Sequence, residues 1–308
     1  KTSQESLVNI SLMEVARELY SDPETDKAKA NVEAFNRFVF GWDTAPFQKE
    51  WHAIADSHSR LVLFAPVGHG KSSQMVVSRT LRKLGENHNL RGAIIGVTLE
   101  NAQKLVRQIA SHILRNENLR RVYQDLKPFR GDGEKWTDSA ILIERKRLEK
   151  DYTLQAVGVE GTIIGSRLDF ALIDDPNAFQ NTFTSGQRRK VNDWIVAEVL
   201  SRMEERSEVI DIQTTWHEDD TGHVLAREHG FEKRVYKAIK EDGTPLWSEK
   251  WSMDRLDKYR DEVSEIEFRR QMLNEPLTDV MGFFKIESFA KCFENGKGAF
   301  VENMTNGV

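Results

Sequence analysis

Cysteine is nearly missing from this chain. Cys292 is the one thiol among 308 residues, which rules out an internal disulfide and leaves no thiolate set for structural zinc. That usage fits a reducing compartment, so a cytoplasmic protein is expected. Long apolar runs are missing too, since none approaches the roughly 20 residues needed to cross a bilayer. The opening KTSQESLVNI lacks the charged-then-apolar order of a secretory leader, and no membrane partner is expected. An excess of positive charge is also absent, because 44 basic residues face 49 acidic ones for a formal net charge of -5. No global field draws in a polyanion, so any contact with nucleic acid must be local.

What is present has a regular order. The chain is 39% hydrophobic and 30% charged, enough for one large domain or two closely packed ones to bury a core. Residues 1–40 repeat apolar positions at helical spacing, as Leu7, Ile10, Leu12, Val15 and Leu19 and then Val32, Phe35, Phe38 and Val39, and predict an N-terminal helical brace. RLVLFA (60–65) is an apolar run of strand length, followed by a Gly-containing turn and the helix-compatible KSSQMVVSRTLRKL. GAIIGVTL (92–99) leads likewise into ENAQKLVRQIASHIL, while residues 139–157 alternate around a charged turn and predict a hairpin beside the main sheet. DFALID (169–174) and EVIDIQTT (208–215) read as two further buried strands, each followed by helix-like sequence. Strands alternating with helices predict an α/β fold with a mainly parallel central sheet flanked by helices. From about residue 219 shorter, more polar helices predict a small lid or linker subdomain.

Between the first strand and its helix stands Ala65-Pro66-Val67-Gly68-His69-Gly70-Lys71-Ser72, with Ser73 next, which matches the Walker A pattern at its Gly-Lys-Ser end. Backbone amides of such a loop and the start of the following helix can surround a β-phosphate, where the helix dipole also favours negative charge. Lys71 is expected on the β- and γ-phosphates of ATP and Ser72 on Mg2+. The departure is Ala65, where the pattern has its first glycine; alanine is small enough for that place.

Ala171-Leu172-Ile173-Asp174-Asp175 resembles the second nucleotide motif of ASCE-type P-loop ATPases, which set an extra strand between their two nucleotide motifs. That resemblance implies Asp174 as a magnesium ligand through water and Asp175 as the group orienting the attacking water. Asp175 is one methylene shorter than the usual Glu, and before Pro176 it is also a residue type that caps helices and forms turns. The next strand runs into Ile212-Gln213-Thr214-Thr215-Trp216-His217-Glu218-Asp219-Asp220. Together with GVEGTIIGSRLDFALIDDP and APVGHGKS it resembles the large terminase subunit of tailed bacteriophages, the DNA-packaging motor, whose coupling motif commonly reads Thr-x-Trp-His-x-x-Asp after a strand. Pro245-Leu246-Trp247, the helical stretch after it and Gly282-Phe283-Phe284-Lys285 resemble that family's linker toward its nuclease domain. The resemblance divides the chain into a brace (1–40), a P-loop ATPase core (41–218), a lid and linker (219–290) and a tail (291–308) leading to a nuclease domain expected to be absent, with no nuclease activity.

Further roles come with the resemblance. Gln48 stands where relatives place an adenine-reading glutamine, and is equally an ordinary polar residue of an amphipathic helix. Arg167 stands where a trans-acting arginine finger is expected, or else a salt-bridged surface arginine. Thr214 and Thr215 are expected to sense the γ-phosphate; Trp216 and His217 read as structural, and Asp219 and Asp220 as caps of the next helix. The partners implied are double-stranded DNA, a portal protein, a small terminase subunit and further copies in a homo-oligomeric ring, in the cytoplasm of an infected bacterial host and transiently at the procapsid portal. Candidate DNA contacts are Arg79, Arg82 and Lys83, Arg120 and Arg121, the basic residues of 145–150, and Arg188, Arg189 and Lys190. A helicase-like ATPase, an ATP-binding scaffold without turnover and a small-molecule kinase are the alternative readings.

Overall fold

A computed structural model of the chain describes residues 22–146, 150–165 and 167–278. Local chemistry sets the ends of most elements. The side chains of Asp22 and Asn31 cap α1 (Pro23–Ala30) and α2 (Val32–Phe40), and Gly41 closes α2 in the left-handed region. Pro46 opens α3 (Pro46–Ser57), where a missing N–H costs nothing. β1 (Arg60–Phe64) feeds the glycine-rich loop and a helix that is π-helical over Ser72–Ser78 before continuing as α4 (Arg79–Glu86). There follow β2 (Gly92–Gly96), α5 (Leu99–Arg115), α6 (Glu117–Val122), β3 (Ala140–Ile141), β4 (Leu154–Gly158) and β5 (Leu168–Asp174). The short α7 (Phe179–Thr182) and then α8 (Ser185–Trp194) lead to β6 (Met203–Gln213). The remaining elements are α9 (Thr221–Glu228), β7 (Glu232–Val235), α10 (Met253–Glu262) and α11 (Glu265–Leu273).

The seven strands form one sheet in the order β3-β4-β2-β5-β6-β1-β7, parallel throughout except for β3. β6 lies between β1 and β5, so one strand separates the glycine-rich loop from Asp174, the arrangement of ASCE-type P-loop folds. One face carries Leu61, Leu63, Phe170, Leu172, Ile210 and Ile212 against Met75, Val76, Val106 and Ile109. The other carries Val62, Phe64, Ala171, Ile173 and Val209 against Ile195, Val199 and Leu225. Side chains buried on both faces give strands without polar alternation. Each such fully buried aliphatic side chain contributes about 1.5–3 kcal/mol.

Three sequence expectations change. The hairpin of residues 139–157 is not beside the sheet: β4 runs parallel to β2 inside it, and only the two-residue β3 pairs antiparallel at the edge. β6 begins earlier than expected and ends at Gln213, which frees Thr214 and Thr215 for a loop. The sheet also extends past residue 218, because β7, whose alternating EKRV carries no apolar run, adds to the edge beside β1. A third cluster, Ala238, Trp251, Leu256, Phe268 and Met272, holds α10 and α11 together. The helical spacing from Leu7 to Leu19 and the stretch from Gly282 to Lys285 lie outside the described residues. No described helix is long and apolar enough to cross a membrane.

Candidate nucleotide site

Parallel strands deliver their C-terminal ends to one edge of a sheet, where ligand sites of such folds form. Here the loops after β1, β5 and β6 meet. Ala65 is fully buried and donates its N–H to Gln213 O at 3.0 Å, which explains a small residue at that place. Gly68 and Gly70 take φ values of +74° and +87°, a region where a side chain is strained. Lys71 is curled back into the loop, its Nζ donating to Ala65 O (3.1 Å), Pro66 O (3.5 Å) and Thr214 Oγ1 (2.6 Å). Ser72 Oγ lies 2.9 Å from both carboxylate oxygens of Asp174. Asp175 has a positive φ of 45°, a strained conformation that Asp tolerates better than most residues, and its Oδ1 accepts from Thr214 N at 2.7 Å. Its Oδ2 is 3.8 Å from Lys71 Nζ, and its side chain is 42% exposed.

The electrostatics follow from this crowding. Burial first, and the adjacent Asp175 second, push Asp174 up to about 7, against weaker lowering by the Ser72 hydroxyl and Lys71. The geometry thus brings together a primary ammonium, a hydroxyl on a carboxylate and a second, half-exposed carboxylate. The set suits a polyphosphate with a hard cation: donors for anionic oxygens on one side, oxygen ligands on the other.

The loop is roofed from the C-terminal part of the chain. Val67 N donates to Gln271 O (3.0 Å), Trp251 Nε1 to Gly68 O (3.4 Å), and the Trp251 ring stacks on His69 at 5.8 Å and 3°. Burial holds His69 neutral, lowering it to about 4, and its Nδ1 faces Val67 O at 3.0 Å. Pro66 completes the loop, while Val67 is exposed and Ser73 half-buried in the helix.

After β6 the chain folds on Asp220, which is fully buried. Its Oδ2 accepts from Trp216 N (2.8 Å), His217 N (3.3 Å) and Thr215 Oγ1 (3.3 Å), while Oδ1 accepts from His223 N (3.1 Å) and lies 2.8 Å from His223 Nδ1. Asp220 is therefore both the cap of α9 and the centre of the loop. Only Thr214 points at Lys71: Thr215 N donates to Asn274 Oδ1 (3.1 Å), and its oxygen accepts from Arg270, whose guanidinium sits 3.7 Å over the Trp216 ring. His217 is buried and its Nδ1 accepts from Asp219 N at 3.1 Å.

Other sequence candidates fall elsewhere. Gln48 is 1% exposed and lies under the loop, Nε2 donating to His69 O (2.8 Å) and Oε1 accepting from Ala45 N (3.0 Å). Both ends of its amide are thus taken by backbone. Arg167 precedes β5, at the strand end opposite Asp174, and pairs with Glu204 at 3.5 Å. At about 3.3 Å per residue the strand keeps it roughly 20 Å from this site. Among the DNA candidates, Arg79 is buried on Glu208 (2.5 Å) and Asp56 (2.8 Å), and Arg188 is buried with its NH1 on Thr182 O. Neither is available to a phosphate backbone, whereas Arg120 and Arg189 are exposed. Trp251, Gln271, Arg270 and Asn274 carry no local sequence signal; they reach the site only through the fold.

A scan against protein-family models finds no match, and a search of curated proteins finds none. Among solved structures, the large terminase ATPase domain of Thermus phage P74-26 aligns at 14% identity over 78% of this chain and 96% of that one, with a TM-score of 0.46. The large terminase of a second, thermophilic bacteriophage aligns at 10% identity over 75% of this chain and 53% of that one, with a TM-score of 0.45. That second terminase in complex with ADP aligns at 9% identity over 82% and 52%, with a TM-score of 0.40. At these identities the similarity concerns the course of the backbone alone, and the fold stands on its own strand order and on the loop between β1 and its helix.

Proposed function

We propose that the chain is the ATPase motor domain of a tailed-phage large terminase, hydrolysing ATP to move double-stranded DNA into a procapsid. The observation that carries this reading is the meeting of three strand ends, with Lys71 on Thr214, Ser72 on Asp174 and the Thr214 amide on Asp175. In this reading residues 65–73 cradle the phosphates, and Lys71 exchanges its carbonyl and hydroxyl partners for β- and γ-phosphate oxygens. Asp175 is half-exposed, and once Lys71 turns to the phosphates its Oδ2, now 3.8 Å from Lys71 Nζ, accepts a hydrogen bond from the attacking water, which it orients in line.

Ser72 and Asp174 would hold magnesium. The donor set fits: a hydroxyl and a carboxylate converge, and the half-buried carboxylate lies beside a second acid that opposes its ionisation. Bound with ATP, the ion would neutralise charge on the β- and γ-phosphates.

Transmission runs through Thr214. When Lys71 leaves its hydroxyl for phosphate, the loop loses one tether, and that loop is fastened to α11 by Arg270 and to Asn274 by Thr215 N. The roof over residues 67–69 is fastened to the same C-terminal helices, so both sides of the site report to one body. Arg167 acts, in this reading, only in a neighbouring copy of a ring assembled on the portal with the small terminase subunit. Exposed clusters such as Arg120 and Arg121 supply sequence-independent phosphate contacts. The test is ATP turnover with and without linear duplex DNA. Stimulation by duplex supports a translocating motor, and turnover indifferent to duplex contradicts it; ATP-dependent assembly without turnover favours the scaffold reading.

A further inference from the structure

Behind the strand ends, on the sheet face away from Lys71, lies a buried group of oxygens that the nucleotide chemistry does not use. Asp211 sits near the C-terminal end of β6, opposite Val62 of β1 and Ile173 of β5, and shares its face with Val209. It is fully buried, and neither carboxylate oxygen has a hydrogen-bond partner among the described residues. Two residues on, Gln213 is also fully buried on the same face, and its Oε1 has no partner among the described residues. Its Nε2 donates to Asp220 Oδ1 at 3.4 Å. Thr221, 1% exposed, follows directly at the start of α9, and its hydroxyl likewise lacks a partner among the described residues. The helix is pressed onto this spot: a Cβ on Gly222 would stand 2.1 Å from Gln213 Nε2. Asn177 borders the group, its Oδ1 accepting from Thr221 N at 3.0 Å while its own Nδ2 lacks a partner among the described residues.

A buried carboxylate without a partner is costly, by several kcal/mol even after relaxation. The surrounding charges make it worse, since Asp220, Asp175 and Asp174 all oppose ionisation of Asp211. Asp220 cannot relieve it, because its own oxygens are already filled by backbone amides, a hydroxyl and His223. A proton on Asp211 would remove its charge, and Gln213 Oε1 has no partner among the described residues. The group is rich in acceptors, with one formal charge completed by amide and hydroxyl oxygens. That is a ligand set for a hard cation of low charge, and no described group of three or more His, Cys, Asp or Glu offers the set a transition metal would need.

We propose that Asp211, Gln213 and Thr221 form a binding site for a monovalent metal cation of the sodium and potassium class. The ion supplies the missing counter-charge and ties β6 to the first turn of α9, behind the loop from Thr214 to Asp220. The site does not depend on the chain being an ATPase.

The test is thermal melting of the whole chain, free of nucleotide and with divalent ions chelated, in potassium, sodium and choline chloride at equal concentration. The melting midpoint is expected to rise by roughly 4 °C in at least one of the metal salts relative to choline. Asp211→Asn and Thr221→Val each lose that increment. Thr221→Val removes one oxygen while keeping shape, and decides the matter alone where Asp211→Asn does not fold. Identical midpoints in all three salts overturn the proposal, as does an increment retained in either variant.

Discussion

Replacing Gln48 separates two physical roles for one amide. In the structure it braces the phosphate loop from below, Nε2 on His69 O at 2.8 Å and Oε1 on Ala45 N at 3.0 Å. Gln48→Ala removes both bonds and leaves a buried carbonyl and a part-buried amide without partners. Each orphan costs about 1–3 kcal/mol, so a loss of about 2–6 kcal/mol is expected. Part of it falls on the shape of the loop, since Gln48 Nε2 lies so close under Gly70 that a Cβ there would stand 2.8 Å from it. The assay is urea unfolding combined with nucleotide affinity for ATP and GTP. A brace predicts reduced stability and a loss of affinity equal for the two nucleotides, because the loop meets only their common phosphates. A reader of adenine predicts unchanged stability and a loss confined to ATP. That second outcome would refute the reasoning.

Two other expectations follow from charge and burial. Asp174 is raised to about 7 from 3.8, so between those values the folded chain holds a proton that the unfolded chain has lost, and this group's contribution to stability falls as pH rises through that window. Magnesium must displace that proton. Its affinity, read by calorimetric titration, should gain about tenfold per pH unit up to about 7 and then level off, and a pH-independent affinity would contradict the assignment. Arg79→Ala should cost about 3–5 kcal/mol, because Glu208 is left buried with weaker compensation from Lys83 at 3.3 Å, while duplex affinity stays unchanged in the fraction that folds. Weakened duplex binding with normal stability would restore Arg79 as a DNA contact.

The parts of this site that are legible in the sequence are the ones built from neighbours in the chain. Ala65 to Ser72 form one loop, and its position between an apolar strand and a helix is readable from residue type alone. Asp174 and Asp175 end an apolar run in the same way. What sequence does not carry is the third dimension. Trp251 reaches Gly68 across 183 residues, and nothing in SEKWSMD marks it as a roof. Arg79 looks like any cation of a solvated helix face until Glu208 of β6 is placed beside it. β7 hides for a different reason: an edge strand with one half-buried face has no apolar run to betray it. Asp211 reads as one polar residue in a buried strand; its lack of a hydrogen-bond partner among the described residues emerges only when both flanking strands and α9 are in place.

The central claim is that Lys71 and its neighbours hydrolyse ATP. Steady-state ATP turnover by the purified chain with magnesium, using Lys71→Ala as the blank, tests it most directly. The account predicts turnover that falls by about 100-fold or more in the variant, the scale of losing a charge-stabilising donor at a reaction centre. Turnover that survives in Lys71→Ala would contradict it.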